Sequence, residues 1–177
     1  MKALVFALGL LAASSPFAMA EEPIKWIVST TGGSQIEIPS FFADGKVEPL
    51  SSFSEGLTFT PKNYPDTHFR QYEGSGTITP FGYIARMLVD DTENYEDQTK
   101  DYYERNHPGD KVTYTSDNAS IGAVSGTRAY GALIYYGMCR KHATDIITCF
   151  DMTWSKKDKA IFEPIAQRIA RSFGKDR

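Results

Sequence analysis

The sequence predicts an α+β fold: a mainly antiparallel sheet packed by a long middle helix and a C-terminal helix. Three observations carry that expectation. Residues 26–38 and 111–154 alternate apolar and polar side chains between turn residues, as antiparallel strands do. A run opening at Thr79-Pro80 and another ending near Phe173 repeat apolar residues at helical spacing instead. No internal repeat, linker or low-complexity tract separates these stretches, so residues 21–177 read as a single domain.

Residues 1–20 stand apart as an export signal. Lys2 supplies the positive end and residues 3–11 a short apolar core, which Ser14, Ser15 and Pro16 interrupt. Ala18-Met19-Ala20 offers the small residues that signal peptidase reads, placing cleavage at about Ala20. The apolar run is too short to span a bilayer, and no later stretch is long enough, so no membrane insertion is expected. Without a cysteine near the cleavage point there is nothing to acylate. The expected address is the periplasm, or the medium if the protein is secreted.

The mature chain opens with strands over 26–30 and 35–38, joined by Thr31-Gly32-Gly33-Ser34 as a glycine turn and ended by Pro39. A loop with Asp44-Gly45 and Pro49 follows, then short strands over 56–60 and 67–72 separated by Pro61 and Pro65. At Thr79-Pro80 a hydroxyl N-cap precedes a proline at the first helical position. Phe81, Ile84, Leu88, Tyr95 and Tyr102 keep one face of that helix apolar until His107-Pro108-Gly109 stops it, and Asp90-Asp91-Thr92 could divide it in two. A β-meander comes next: strands over 111–115 and 120–124, a turn at Ser125-Gly126-Thr127, a strand from Arg128 to about Arg140, a turn around Ala143-Thr144, and a strand over 146–154. The terminal helix carries Phe162, Ile165, Ile169 and Phe173 on one side. Pro164 requires it either to begin nearby or to kink.

The last hairpin has a register that can be read directly. An isolated cysteine pair in an oxidising compartment reads first as a disulfide. If Cys139 faces Cys149, then Met138 faces Phe150, Tyr136 faces Met152 and Ile134 faces Trp154, all apolar or aromatic and all on one face. The other face then carries Tyr135, Gly137, Asp151 and Thr153 with the cysteines, and a one-residue slip would scramble the sorting.

Composition narrows function by exclusion. The chain holds 19 Lys and Arg against 22 Asp and Glu, a formal net charge of −3, with no basic cluster to bind nucleic acid or anionic lipid. With 41% hydrophobic and 13% aromatic residues it can bury a core. Zinc would need more ligands than the two cysteines and His142 supply, so no metal is expected. The acidic run Asp90, Asp91, Glu93, Glu96, Asp97 and Asp101 lacks the central glycine of a calcium loop and reads as a solvated helix face. No glycine-rich phosphate loop is present, and no cofactor is expected.

No catalytic constellation emerges. His107 and His142 sit in turns, leaving His68 as the general-base candidate by default. Ser125 has glycines three before and one after it, not the two-residue spacing of a nucleophile elbow, and reads as a turn residue. Tyrosine is the one unusual class. It suits binding surfaces by its broad ring and hydroxyl, and Tyr130 and Tyr135 with Arg128 form the candidate ligand or partner surface.

Ile121-Gly122-Ala123-Val124-Ser125-Gly126, Ala132-Leu133-Ile134-Tyr135-Tyr136, Phe162-Glu163-Pro164-Ile165 and Arg168-Ile169-Ala170-Arg171-Ser172-Phe173 resemble a group of small exported proteobacterial proteins of unknown function. Thr30-Thr31-Gly32-Gly33 and Ile36-Glu37-Ile38-Pro39 are similar too, and the order of elements resembles the Mog1/PsbP-like fold. The resemblance implies an antiparallel sheet packed between helices, in a group of mainly accessory or binding proteins. No PsbP metal ligand or Mog1 partner motif transfers residue by residue.

The function expected is that of an exported soluble envelope protein, non-catalytic, binding an envelope protein or a small ligand. The alternatives are a hydrolytic enzyme with dispersed residues such as His68, Asp151 and Ser125, and a secreted factor acting on a host or competitor.

Overall fold

In a computed structural model of the full chain, the structure describes residues 23–31, 34–50, 55–75, 108–142 and 146–174. The expected signal peptide, the expected middle helix between Thr79 and His107, and the acidic run from Asp90 to Asp101 lie outside them.

Strands β1 (Trp26–Thr31) and β2 (Ser34–Pro39) form a two-stranded antiparallel hairpin in which Thr31 pairs with Ser34. One helical turn, α1 (Ser40–Ala43), leads into β3 (Lys46–Pro49), β4 (Glu55–Thr60) and β5 (His68–Ser75). The meander then supplies β6 (Lys111–Asp117), β7 (Ile121–Arg128), β8 (Leu133–Lys141) and β9 (Ile146–Ser155), and α2 (Lys159–Ser172) closes the chain. Strands β3 to β9 make one seven-stranded sheet in the order β3-β4-β5-β9-β8-β7-β6, every neighbouring pair antiparallel. The last strand to be made therefore sits at the middle, between β5 and β8.

The β8–β9 register is the one the residues prefer: Cys139 opposite Cys149, Met138 opposite Phe150, Tyr136 opposite Met152, Ile134 opposite Trp154. Cys139 and Cys149 form a disulfide, and both are fully buried. Phe150, Met152 and Trp154 join Phe69 of β5 and Phe59 of β4 on one face. There they meet Ile36, Ile38 and Phe42 from the hairpin and α1, and Phe162, Ile165, Ile169 and Phe173 from α2. Ring contacts there include edge-to-face pairs, with ring centres 5.0 Å apart for Phe150 and Phe173 and 4.9 Å apart for Tyr64 and Phe162. The opposite face is buried too, since Tyr72, Tyr135, Ile147 and Asp151 are at most 1% exposed.

The expected fold class needs correction. The sheet is mainly antiparallel, but among the described residues α2 is the only long helix, and no long middle helix shares the cover. The hairpin takes that place on the described core face. Its alternation sends Ser34, Ile36 and Ile38 inward, so a strand pair supplies the apolar surface expected of a second helix.

Three local expectations change as well. The 46–49 stretch is a strand, pairing Lys46 with Thr60 and Pro49 with Leu57, where a loop was expected. Residues 125–127 continue β7 instead of turning, and the turn comes later, at a 3-10 segment over Ala129–Gly131. Gly126 is needed for close packing: a Cβ there would meet the Lys111 carbonyl and the Tyr135 hydroxyl. Pro164 lies inside α2, which begins five residues earlier at Lys159.

Polar side chains tie the layers together. The buried Gln71 amide of β5 donates to the carbonyls of Thr31 (2.9 Å) and Ser34 (3.1 Å), and so grips both ends of the hairpin turn. From the other side, Ser172 Oγ accepts from the Glu37 amide at 2.9 Å while donating to the Ile169 carbonyl. Arg168 lies between the Glu37 carboxylate (3.1 Å) and the Trp26 ring (4.0 Å). Replacing Gln71 by leucine removes the donor to the buried Ser34 carbonyl and leaves the Thr31 carbonyl only the longer bond from Ser34 Oγ, at 3.3 Å. Urea unfolding of Gln71→Leu is expected to show a loss of about 1–3 kcal/mol. Gln35→Ala, on the exposed side of the same hairpin, should stay within about 0.5 kcal/mol.

Candidate functional site

Along α2 the inward face changes size. Phe162, Ile165 and Ile169 fill the core, whereas Ala166 and Ala170, one turn apart, stop short of the sheet. The gap beneath them is a cleft of about 430 Å³ over β7, β8 and β9. Ser125, Ile134, Tyr136 and Trp154 make its floor. Glu163, Gln167 and Arg171, at four-residue spacing on α2, make its rim.

Two aromatic side chains with polar handles line the cleft, Trp154 and Tyr136. Trp154 is 3% exposed, and its indole Nε1 has no hydrogen-bond acceptor among the described residues. A buried donor left unpaired costs about 1–3 kcal/mol. Burial, reinforced by the neighbouring Tyr114, raises the Tyr136 phenol above its usual range. It therefore stays protonated near neutrality, and its hydroxyl donates to Met138 Sδ at 3.9 Å. Glu163, the one carboxylate of the rim, pairs with Lys159 at 3.7 Å.

A second surface lies at the β7–β8 connection. Ala129 and Tyr130 both adopt positive φ, 51° and 55°, ahead of Gly131 at 85°. Left-handed backbone at non-glycine residues costs roughly 1 kcal/mol or more each. Asp110 holds the bend, accepting from Arg128 Nε (3.1 Å) and from the Ala129 amide (3.0 Å), while the Tyr130 amide donates to the Gly109 carbonyl (2.8 Å). Tyr130 is thereby displayed 87% exposed, against Gly109.

The sequence-predicted residues fall into separate places. Arg128 and Tyr130 share this tip, but Tyr135 is fully buried, its hydroxyl packed where a Gly126 Cβ would stand. Cys139 and Cys149 are joined beneath the surface. His68 and Asp151 occupy the opposite face of the sheet from Ser125: His68 pairs with Thr153, whereas Ser125 pairs with Tyr136, itself opposite Met152. The sheet lies between that serine and the other two residues, so no nucleophile–base pair forms from them. Asp151 instead accepts from Arg70 Nε through both oxygens, at 2.8 and 3.0 Å, which compensates the burial of its charge. His142 bonds to Thr148 (2.7 Å) across its hairpin. Among the described residues no three His, Cys, Asp or Glu side chains converge to hold a metal.

The all-antiparallel sheet, with its terminal strand central and a closing helix on one face, has a solved counterpart. The chain is similar to the solution structure of cyanobacterial PsbP (CyanoP) from Synechocystis sp. PCC 6803, with a TM-score of 0.54 over 91% of this chain and 97% of that one. The fold is PsbP-like. At 9% identity the likeness concerns the fold alone. No protein-family model matches the chain, and no curated protein matches it.

Within the PsbP-like sheet, the cleft escaped the sequence reading as a single site because its residues come from three strands and a helix. One signal was readable: Ala166 and Ala170 each follow a large core residue, Ile165 and Ile169, which narrows the helix on one flank.

His68 closes the other face at the start of β5, its Nδ1 sharing a hydrogen bond with Thr60 Oγ1 at 2.9 Å. Its pKa is lowered from 6.5, first by desolvation and then by the Arg70 guanidinium, against the opposing pull of the Asp66, Asp151 and Glu48 carboxylates. The folded state thus resists protonating this ring more than the unfolded chain does. The stability it contributes is present above about pH 6.5 and is lost as pH falls through the lower folded value. Urea midpoints measured between about pH 7.5 and 5.5 should fall more steeply for the native protein than for His68→Gln.

Proposed function

We propose that this protein is exported by a signal cleaved at about Ala20 and works in the periplasm as a non-catalytic binding or accessory protein of the cell envelope. Lys2, the apolar core and Ala18-Met19-Ala20 support the export step. The buried Cys139–Cys149 disulfide supports an oxidising destination. The resemblance to small exported proteobacterial proteins agrees with that address. No described helix is long and apolar enough to cross a membrane, which suits a partner reached by diffusion.

The binding reading rests on one observation, the buried Trp154 donor beside the cleft under Ala166 and Ala170. A cleft of about 430 Å³ falls in the range of small-molecule sites, roughly 300–1,000 Å³, and joins an aromatic floor to a few polar groups. Filling it with Ala170→Phe should leave the folded protein intact and abolish thermal stabilisation by any small molecule that stabilises the native protein. For the address, N-terminal sequencing of protein from the periplasmic fraction should begin at Glu21. A cytoplasmic protein still starting at Met1 would refute export.

The Tyr130 tip favours a second reading, a protein partner. An aromatic ring 87% exposed on a strained, doubly anchored bend is pre-organised for contact at small entropic cost. Pull-down of the tagged mature protein from envelope extract should then lose a specific band in Tyr130→Ala.

A further inference from the structure

The cleft says something about the chemistry of its occupant, on the reading that it is a ligand site. We infer that it takes a small, flat aromatic carboxylate, the ring lying between Trp154 and Tyr136 below and the alanines of α2 above, the carboxylate directed to Arg171.

Charge decides the sign. Arg171 makes no ion pair among the described residues and lines the cleft, whereas Glu163 already has Lys159. Trp154 Nε1 can only donate, and it too has no acceptor there. The guanidinium offers several further donors in a planar fork that matches a carboxylate. An acceptor-rich anion satisfies these groups together; a cationic ligand would leave both unmet. The helix C-terminus also favours a cation at Arg171, but that effect needs no cleft and leaves the indole donor unexplained.

Size and shape decide the rest. An apolar cavity of roughly 150 Å³ holds a benzene molecule, so about 430 Å³ admits one or two fused rings with a short acidic group. Ala166 and Ala170 leave a shallow, flat ceiling where larger residues would close the gap, and aromatic floors favour stacked rings.

The test is calorimetric titration of the exported, purified protein with 2-naphthoate, 2-naphthamide and 2-naphthylmethylamine, which share a ring system and differ in charge. The carboxylate should bind at least tenfold more tightly than the amide and the amine. Arg171→Gln, an exposed helical change, should erase that preference while the amide still binds. Trp154→Phe, which keeps a ring and removes the N–H, should weaken the carboxylate roughly tenfold or more. Ala170→Phe should abolish binding of all three. If the three bind equally, or if Arg171→Gln leaves the preference intact, the ligand class is wrong although the cleft still binds ligands. If none binds, or if binding survives Ala170→Phe, the cleft itself is not the ligand site and the inference falls with it.

Discussion

The alternation of side chains across the β8–β9 pair is the constraint on which the rest of this structure depends. A strand has two faces, and the register that sets Cys139 against Cys149 sends Tyr136, Met138, Phe150, Met152 and Trp154 one way and Tyr135 and Asp151 the other. Because β9 lies at the middle of the sheet, that sorting passes outward to Phe69 on β5 and to Ser125 on β7. The disulfide holds the same register covalently. In the chain-entropy model, closing so short a loop stabilises by roughly 3 kcal/mol, comparable to one or two well-packed core side chains.

With both faces buried, polar groups become specific instead of merely tolerated. Asp151 stands at 1% exposure because Arg70 reaches it from the neighbouring strand. Gln71 lies fully buried on the core face because the ends of the β1–β2 turn present carbonyls to it. These bonds fix where the hairpin docks, and hydrophobic burial alone, being non-directional, would not. The docked hairpin in turn holds α2 through Ser172 and Arg168, and α2 sets the ceiling of the cleft. The geometry of the cleft therefore rests on a polar chain running from β5 through the hairpin to the terminal helix.

Legibility followed the range of the interaction. The hairpin at the N-terminus, the β8–β9 register and the apolar face of α2 were readable because each is written in period two or in helical period within one short stretch. The turn expected at Ser125-Gly126-Thr127 was misplaced because a glycine can serve a bend or a close approach, and the approaching atoms belong to Lys111 and Tyr135. The β3 strand was hidden because four residues that follow a glycine and end in a proline carry no period, and only pairing with β4 makes them a strand. Arg128 and Tyr130 were correctly grouped since they are neighbours in sequence, while Tyr135 parted from them because strand parity turns it inward.

By itself the sequence determined the antiparallel sheet, the pairing of Cys139 with Cys149 and the amphipathic terminal helix, since all of these depend on neighbours a few residues apart or on one hairpin. Only the tertiary structure decided that a hairpin covers the described core face, that Ser125 and His68 are separated by the sheet, and that Trp154, Tyr136, Ala170 and Arg171 enclose one space. Those outcomes depend on which strand lies beside which, and strand order in a seven-stranded sheet is fixed by contacts between distant segments that no local pattern records.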